Sequence, residues 1–296
     1  MQRWIKKNIK HYLMLLPFFV LFLIFFIFPI IWGFYISFNK WDSIHPPTFV
    51  GFNNYINVIS SSSFTIAFTN LFKYVFLTIP LNIIVAFGLA LLVNSFKGVW
   101  SNIFRSAFFL PTVMPLFLAA SIWRWLYAPE VGFINTILGR FGIAEIGFLI
   151  NPKVMIPSLI IVDIWVSAGF NMIILLTGMK NIPDIYYDAA KVDGANKFQE
   201  IIYITIPQLE PVLFLVIVYG FISALQVFDA PWLLTSSSYT FYGGRSQALL
   251  FPVMDMMGRA FQGLKFGQAA AYGFLLTIVI LILTLVQFAI RKRTQA

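Results

Sequence analysis

Two groups of residues have the types and spacing for chemistry. In the first, Asp163, Ser167 and Phe170 recur at i, i+4 and i+7, and Asn171 extends the same face. Tyr219, Ser223 and Gln226 repeat that spacing, and Asp229 follows three residues later. Both sets lie in or beside long apolar runs, where polar side chains are costly and default to functional candidates. Carboxylates, amides and hydroxyls beside aromatic rings suit a sugar, which offers hydroxyl edges and apolar ring faces. For Ser167, Asn171 and Ser223 the alternative is hydrogen bonding between helices. Asp163 leans toward a pathway, because a lone acid needs a partner or water; an outer water-filled vestibule is the other place for it. No Ser/His/Asp or paired-carboxylate arrangement is present, His11 and His45 are isolated with no partner at metal spacing, and there is no cysteine.

The second group is a polar island at 188–211, DAAKVDGANKFQEIIYITIPQLEP. Between Met179 and Pro211 lie five of the chain's eleven acids: Asp184, Asp188, Asp193, Glu200 and Glu210. Pro183 followed by Asp184 is a helix start, since proline suits the first turn and an acid complements the dipole. Ile185, Ala189 and Val192 then form one narrow face expected to be buried, and Gly194 supplies the left-handed residue that ends a helix. Phe198, Ile201 and Ile202 form a second short helical pattern, interrupted by Pro207 and Pro211. The expectation is helix, glycine turn, helix, held against a membrane face. Interfacial helices that bind lipid usually carry excess Lys/Arg. Here five acids face only Lys180, Lys191 and Lys197, which favours a protein partner.

The elements that position these groups are membrane spans. The chain has 296 residues, 60% of them hydrophobic, 10% charged and 34 of them Phe. Several apolar runs reach the roughly 20 residues needed to cross a bilayer, and they are continuous rather than alternating, which excludes a β-barrel. The sequence predicts an all-α integral membrane protein, one transmembrane domain over 1–296. Its spans fall near 12–36, 71–93, 107–127, 156–178, 212–231 and 269–290, with the 179–211 loop between the fourth and fifth. The apolar run after Arg3, Lys6, Lys7 and Lys10 is too long for a signal-peptide core, and no small-residue cleavage site follows it. Twelve of the twenty Lys/Arg lie at the N-terminus, the 94–106 and 179–211 loops and the C-terminal tail. The positive-inside rule puts those segments, and both termini, in the cytoplasm. The same placement accounts for the net charge of +9 without nucleic acid. Pro111 and Pro115 read either as ordinary kinks or as residues shaping a central pathway.

Asp188-Ala189-Ala190, then Gly194, then Ile204-Thr205-Ile206-Pro207 resembles the Glu-Ala-Ala loop of ABC importer permeases. Asp188 stands where that family has Glu, and Ile206 where it has Leu. The segments LLPFFVLFLIFFIFPIIWGFYISF, FVGFNNY, FFLPTVMPLFLAASIWRWL, GFNMIILLTGMKNIPDIYYDAAKVDGA and FGQAAAYGFLLTIVILILTLVQ are similar to the maltose and glycerol-3-phosphate branch, the first of its two paired permeases. After Leu233-Leu234-Thr235 the chain reads SSSYTFYGGRSQ where that branch has Gly-Gly-Pro. The resemblance implies a bacterial or archaeal cytoplasmic-membrane heterodimer of two permeases, two cytoplasmic ATPases and an extracytoplasmic solute-binding protein. It implies that Asp188, Ala189, Ala190, Asp193, Gly194, Ala195, Phe198, Ile204 and Pro207 couple to the ATPase. With no GxxxxGK[ST] pattern in this chain, ATP and Mg²⁺ belong to those partners, and the chain is not itself an enzyme. An ion-coupled secondary transporter and a structural membrane protein are the rival readings.

Overall fold

The computed structural model describes residues 13–235 and 242–294. Arg3, Lys6, Lys7, Lys10 and His11, and residues 236–241 of the departing loop, lie outside the described residues. Two compact units divide the chain, residues 1–61 with 256–278 and residues 62–255 with 279–296.

In the first unit, α1 (Leu13–Ser37) is apolar around its whole circumference, and no residue of its most apolar stretch is buried. That stretch needs a cover of lipid or of another subunit, whereas the C-terminal end of the helix packs on Phe274 through Phe34. Phe18, Phe22 and Phe26 stack along it at 5.9 and 5.7 Å, the spacing that i, i+4 residues adopt. A two-residue ladder pairs β1 (Asn39–Lys40) with β2 (Thr48–Phe49), and α2 (Asn53–Ile59) follows. His45 is not isolated: its Nδ1 lies 2.6 Å from Asp42, whose other oxygen accepts the Ile44 and His45 N–H groups. Those donors hold the Asp42 carboxyl well below the usual carboxylate range.

The buried Asn54 organises this unit. Its amide donates to both the Ser37 and Asn39 carbonyls at 2.9 Å, and a Cβ on Gly267 would meet the Asn39 carbonyl at 2.0 Å. Asn54→Ala orphans two carbonyls at once and is expected to cost about 1–3 kcal/mol, read as a lowered thermal midpoint.

The second unit is built on α3 (Ser62–Ser95) and α7 (Pro152–Lys180). Ala86 and Ala90 of α3 meet Ala168, Met172 and Leu175 of α7 in its core. Small residues let helices approach closely where lipid offers no hydrophobic drive for association. Pro80 and Pro157 sit inside these helices without breaking them. Gly169 marks a close approach of two helices: its missing Cβ would stand 2.1 Å from the Phe108 carbonyl of α4 (Val99–Val113). Thr112 pins the same pair, its hydroxyl donating to the Val166 carbonyl at 2.7 Å.

Among the described residues four helices are long and apolar enough to cross a membrane, or up to six if each of two bent pairs is one span. These pairs correct two sequence expectations. The third segment is not one helix over 107–127; α4 and α5 (Leu116–Leu126) meet at 95°. Met114 is extended there with ψ 133°, as the residue before a proline prefers. Pro115 therefore ends a helix, whereas Pro111 lies inside one. The fifth segment does not run over 212–231. Between α5 and the fifth segment lie α6 (Phe133–Arg140), α7 and α8 (Asp184–Val192). Helix α9 (Lys197–Gln208) then bends 68° into α10 (Glu210–Leu225). Gln226 leaves helical geometry, and α11 (Asp229–Thr235) starts anew, with Pro231 in its first turn. The last long helix is α12 (Phe266–Thr294).

Candidate functional site

The candidate polar face gathers around one cavity in the second unit, about 630 Å³ in volume. Helix α7 supplies Asp163, Ser167, Phe170 and Asn171; α10 supplies Tyr219 and Ser223. Gln226 and Asp229 reach the same cavity from beyond the end of α10, on the turn and on α11 rather than on a continued helix. All eight residues singled out in the sequence line it.

A wall from α3 was not anticipated. Tyr74, Thr78 and Asn82 lie at i, i+4 and i+8 and also line the cavity. The rule that marked Asp163 marks them as well, since they are polar residues on one face of an apolar run. They complete a directed hydrogen-bond chain. Asn171 donates to Asn82 at 2.7 Å, Asn82 donates to Ser167 at 2.6 Å, and Ser167 donates to the Asp163 carbonyl at 2.6 Å. The Tyr74 hydroxyl donates to the Asp163 carboxylate. Ser167 and Asn171 thus do both things the sequence left open, joining helices and facing the cavity. Opposite them the Phe170 and Tyr219 rings stand 5.9 Å apart.

The loop forms the expected helix, turn and helix. Pro183 caps α8, and Asp184 occupies the first turn. At its other end Ala195 N–H donates to the Ala190 carbonyl at 2.9 Å and Gly194 N–H to Lys191 at 3.1 Å, a Schellman closure. It requires Gly194 at φ +79°, and a Cβ there would touch nothing. Helix α9 opens with a reciprocal cap: Asn196 accepts from Gln199 N–H at 2.9 Å, and Gln199 accepts from Asn196 N–H at 2.8 Å. Pro207 has no N–H to return to the preceding turn, and the helix accommodates it through a π-turn over Ile201–Thr205. The Tyr187 and Thr205 hydroxyls, 3.0 Å apart, tie α8 to α9.

Ala189, Ala190, Asp193, Gly194, Ala195 and Ile204 line one open groove of about 430 Å³, floored by Glu200. Asp188 lies outside it, 2.9 Å from Lys191 on its own helix, and this bond raises the Lys191 ammonium above its usual range. Phe198 and Pro207 do not line the groove. The face of Ile185, Ala189 and Val192, predicted to be buried, is not: Ile185 is 71% exposed and Val192 88%, and Phe198 of the second helix is 70% exposed as well. Amphipathic periodicity is the same whether a face meets its own core or another molecule.

A hydroxyl- and amide-lined cavity among apolar helices thus lies on the same unit as a polar loop whose apolar side chains Ile185, Val192 and Phe198 are exposed. Residues 79–296 match the binding-protein-dependent transport system inner membrane component family, to which the chain belongs. It is 32% identical to the trehalose/maltose transport system permease protein MalF of Thermococcus litoralis, over 76% of each chain. It is 31% identical to the arabinooligosaccharides transport system permease protein AraP of Bacillus subtilis, over 95% of this chain and 88% of that one. Among solved structures, a bacterial ABC transporter involved in the import of the acidic polysaccharide alginate superposes with a TM-score of 0.86. It covers 99% of both chains at 26% identity.

Proposed function

We propose that this chain is a permease subunit of an ATP-driven carbohydrate importer. In this reading the cavity is its share of the solute pathway, and the 179–211 loop is its contact with a cytoplasmic ATPase. One observation carries the link between the two. Helix α7 runs unbroken from the cavity residues Asp163 to Asn171 down to Lys180, and only residues 181–183 separate it from α8. From Asn171 to Lys180 that is about 14 Å of continuous helix at 1.5 Å per residue. On the far side α10 begins at Glu210 and carries Tyr219 and Ser223 back to the same cavity. A displacement of the loop reaches both polar walls through two helices.

Sugar permeases among the relatives and the alginate importer among the structures support the carbohydrate class. Nothing among these findings favours the ion-coupled alternative. A second, homologous permease completes the pathway, two ATPases with ATP and Mg²⁺ drive it, and a solute-binding protein delivers the sugar on the outer side. The Lys/Arg distribution supports cytoplasmic termini and a cytoplasmic loop. ATP-bound ATPases close, α8 and α9 move with them, and the permeases turn outward; hydrolysis returns them inward.

Ala189→Asp tests the loop. It replaces a methyl group with a larger, charged side chain in the groove beside Asp193 and Glu200, and a partner docked there would bury that carboxylate without a base from this chain to pair it, which is costly. The expected result is loss of ATPase co-purification from detergent with normal amounts of this chain in the membrane. Retention of the ATPase at wild-type level would refute the docking role.

A further inference from the structure

The cavity also bears on which carbohydrates pass, an inference resting on its reading as the solute pathway. Among the described residues its lining includes two acids, Asp163 and Asp229, and no Lys, Arg or His. The Asp163 carboxyl group accepts from hydroxyls, Tyr74 and, at 3.4 Å, Ser167.

We infer that this subunit's wall selects uncharged, hydroxyl-rich oligosaccharides and disfavours uronate or otherwise anionic sugars, with Asp163 and Asp229 as the specificity-determining residues. A neutral sugar supplies O–H donors to the carboxylates. A uronate brings another negative charge to a wall with no base to pair it, and low-dielectric surroundings strengthen that repulsion. Within one architecture the chain would therefore differ in substrate class from its structural neighbour, whose cargo is acidic.

The test uses the complex with its second permease and ATPases in nanodiscs, with the binding protein left out so that its own selectivity does not enter. Saturation-transfer NMR compares neutral arabino- and malto-oligosaccharides with alginate oligosaccharides. Neutral sugars should bind at least ten-fold more tightly. Asp163→Asn, and separately the exposed Asp229→Asn, should narrow that gap at least three-fold by strengthening alginate binding. Alginate binding equal to or tighter than neutral sugar, or a gap unchanged in both variants, overturns the charge selection. Failure of both sugar classes to bind would instead overturn the assignment of this cavity as a sugar site.

Discussion

Gly194→Val is expected to cut ATP-driven uptake by ten-fold or more while leaving the chain folded in the membrane. Nothing lies within 4 Å of a Cβ at this position, so no steric clash follows. The cost is conformational: a β-branched residue at φ +79° is disfavoured by roughly 1–2 kcal/mol or more. Relaxing it releases the Ala195 and Gly194 N–H bonds to Ala190 and Lys191. The angle between α8 and α9 depends on those two bonds, and with it the groove between them. Gly194→Asn should be milder, because asparagine tolerates the left-handed region. The measurement pairs uptake with binding-protein-stimulated ATP hydrolysis in reconstituted complexes. Normal rates of both in Gly194→Val would remove the coupling role from this turn.

Gly169→Ala is expected to act on the fold itself. Its Cβ would stand 2.1 Å from the Phe108 carbonyl oxygen, 2.9 Å from that carbonyl carbon and 3.0 Å from the Phe109 Cα. All three are backbone, so no rotamer change relieves the contact. Helix α4 must move off α7, breaking the Thr112 to Val166 bond beside it and opening the cavity wall. Overpacking of this kind costs about 1–3 kcal/mol or more. The expected result is a clear loss of monodisperse protein in detergent and a lowered thermal midpoint. Gly88→Ala is the control: it sits in α3 with open space around it and should gain up to about 1 kcal/mol from helix propensity. Equal behaviour of the two variants would show that the close approach at Gly169 carries no weight.

How much of the structure could be read in advance varies from element to element. Pro183 and Gly194 act through the backbone within a few residues of themselves, so the loop's first helix and its turn were readable locally; the Asn196–Gln199 cap is equally local, and the structure revealed it. Proline shows the limit of that reading. Pro80, Pro111 and Pro157 all lie inside continuous helices, while Pro115 ends one at a 95° bend. What separates them is whether neighbouring helices hold the chain straight, and the local sequence does not contain that. The end of α10 at Leu225 is of the same kind: Tyr219, Ser223 and Gln226 have helical spacing, yet the helix stops just before the last of them.

For the cavity, periodicity showed which residues share a face of α7 or α10 but not what each face meets. Tyr74, Thr78 and Asn82 carried the same signal, and their part became evident only when α3 was placed against α7. The exposed Ile185, Val192 and Phe198 make the converse point, since an apolar stripe does not record whether its cover is internal.

The sequence by itself determined the solvent of this protein, its apolar segments, and the loop whose spacing requires a left-handed glycine. These depend on composition and on interactions between near neighbours along the chain. Only the tertiary structure decided that two segments are bent, that α3 joins α7 and α10 in walling the cavity, and that, among the described residues, this wall holds acids without a base. Those outcomes depend on which surfaces meet across tens of residues, where a single glycine such as Gly169 sets how closely two backbones approach.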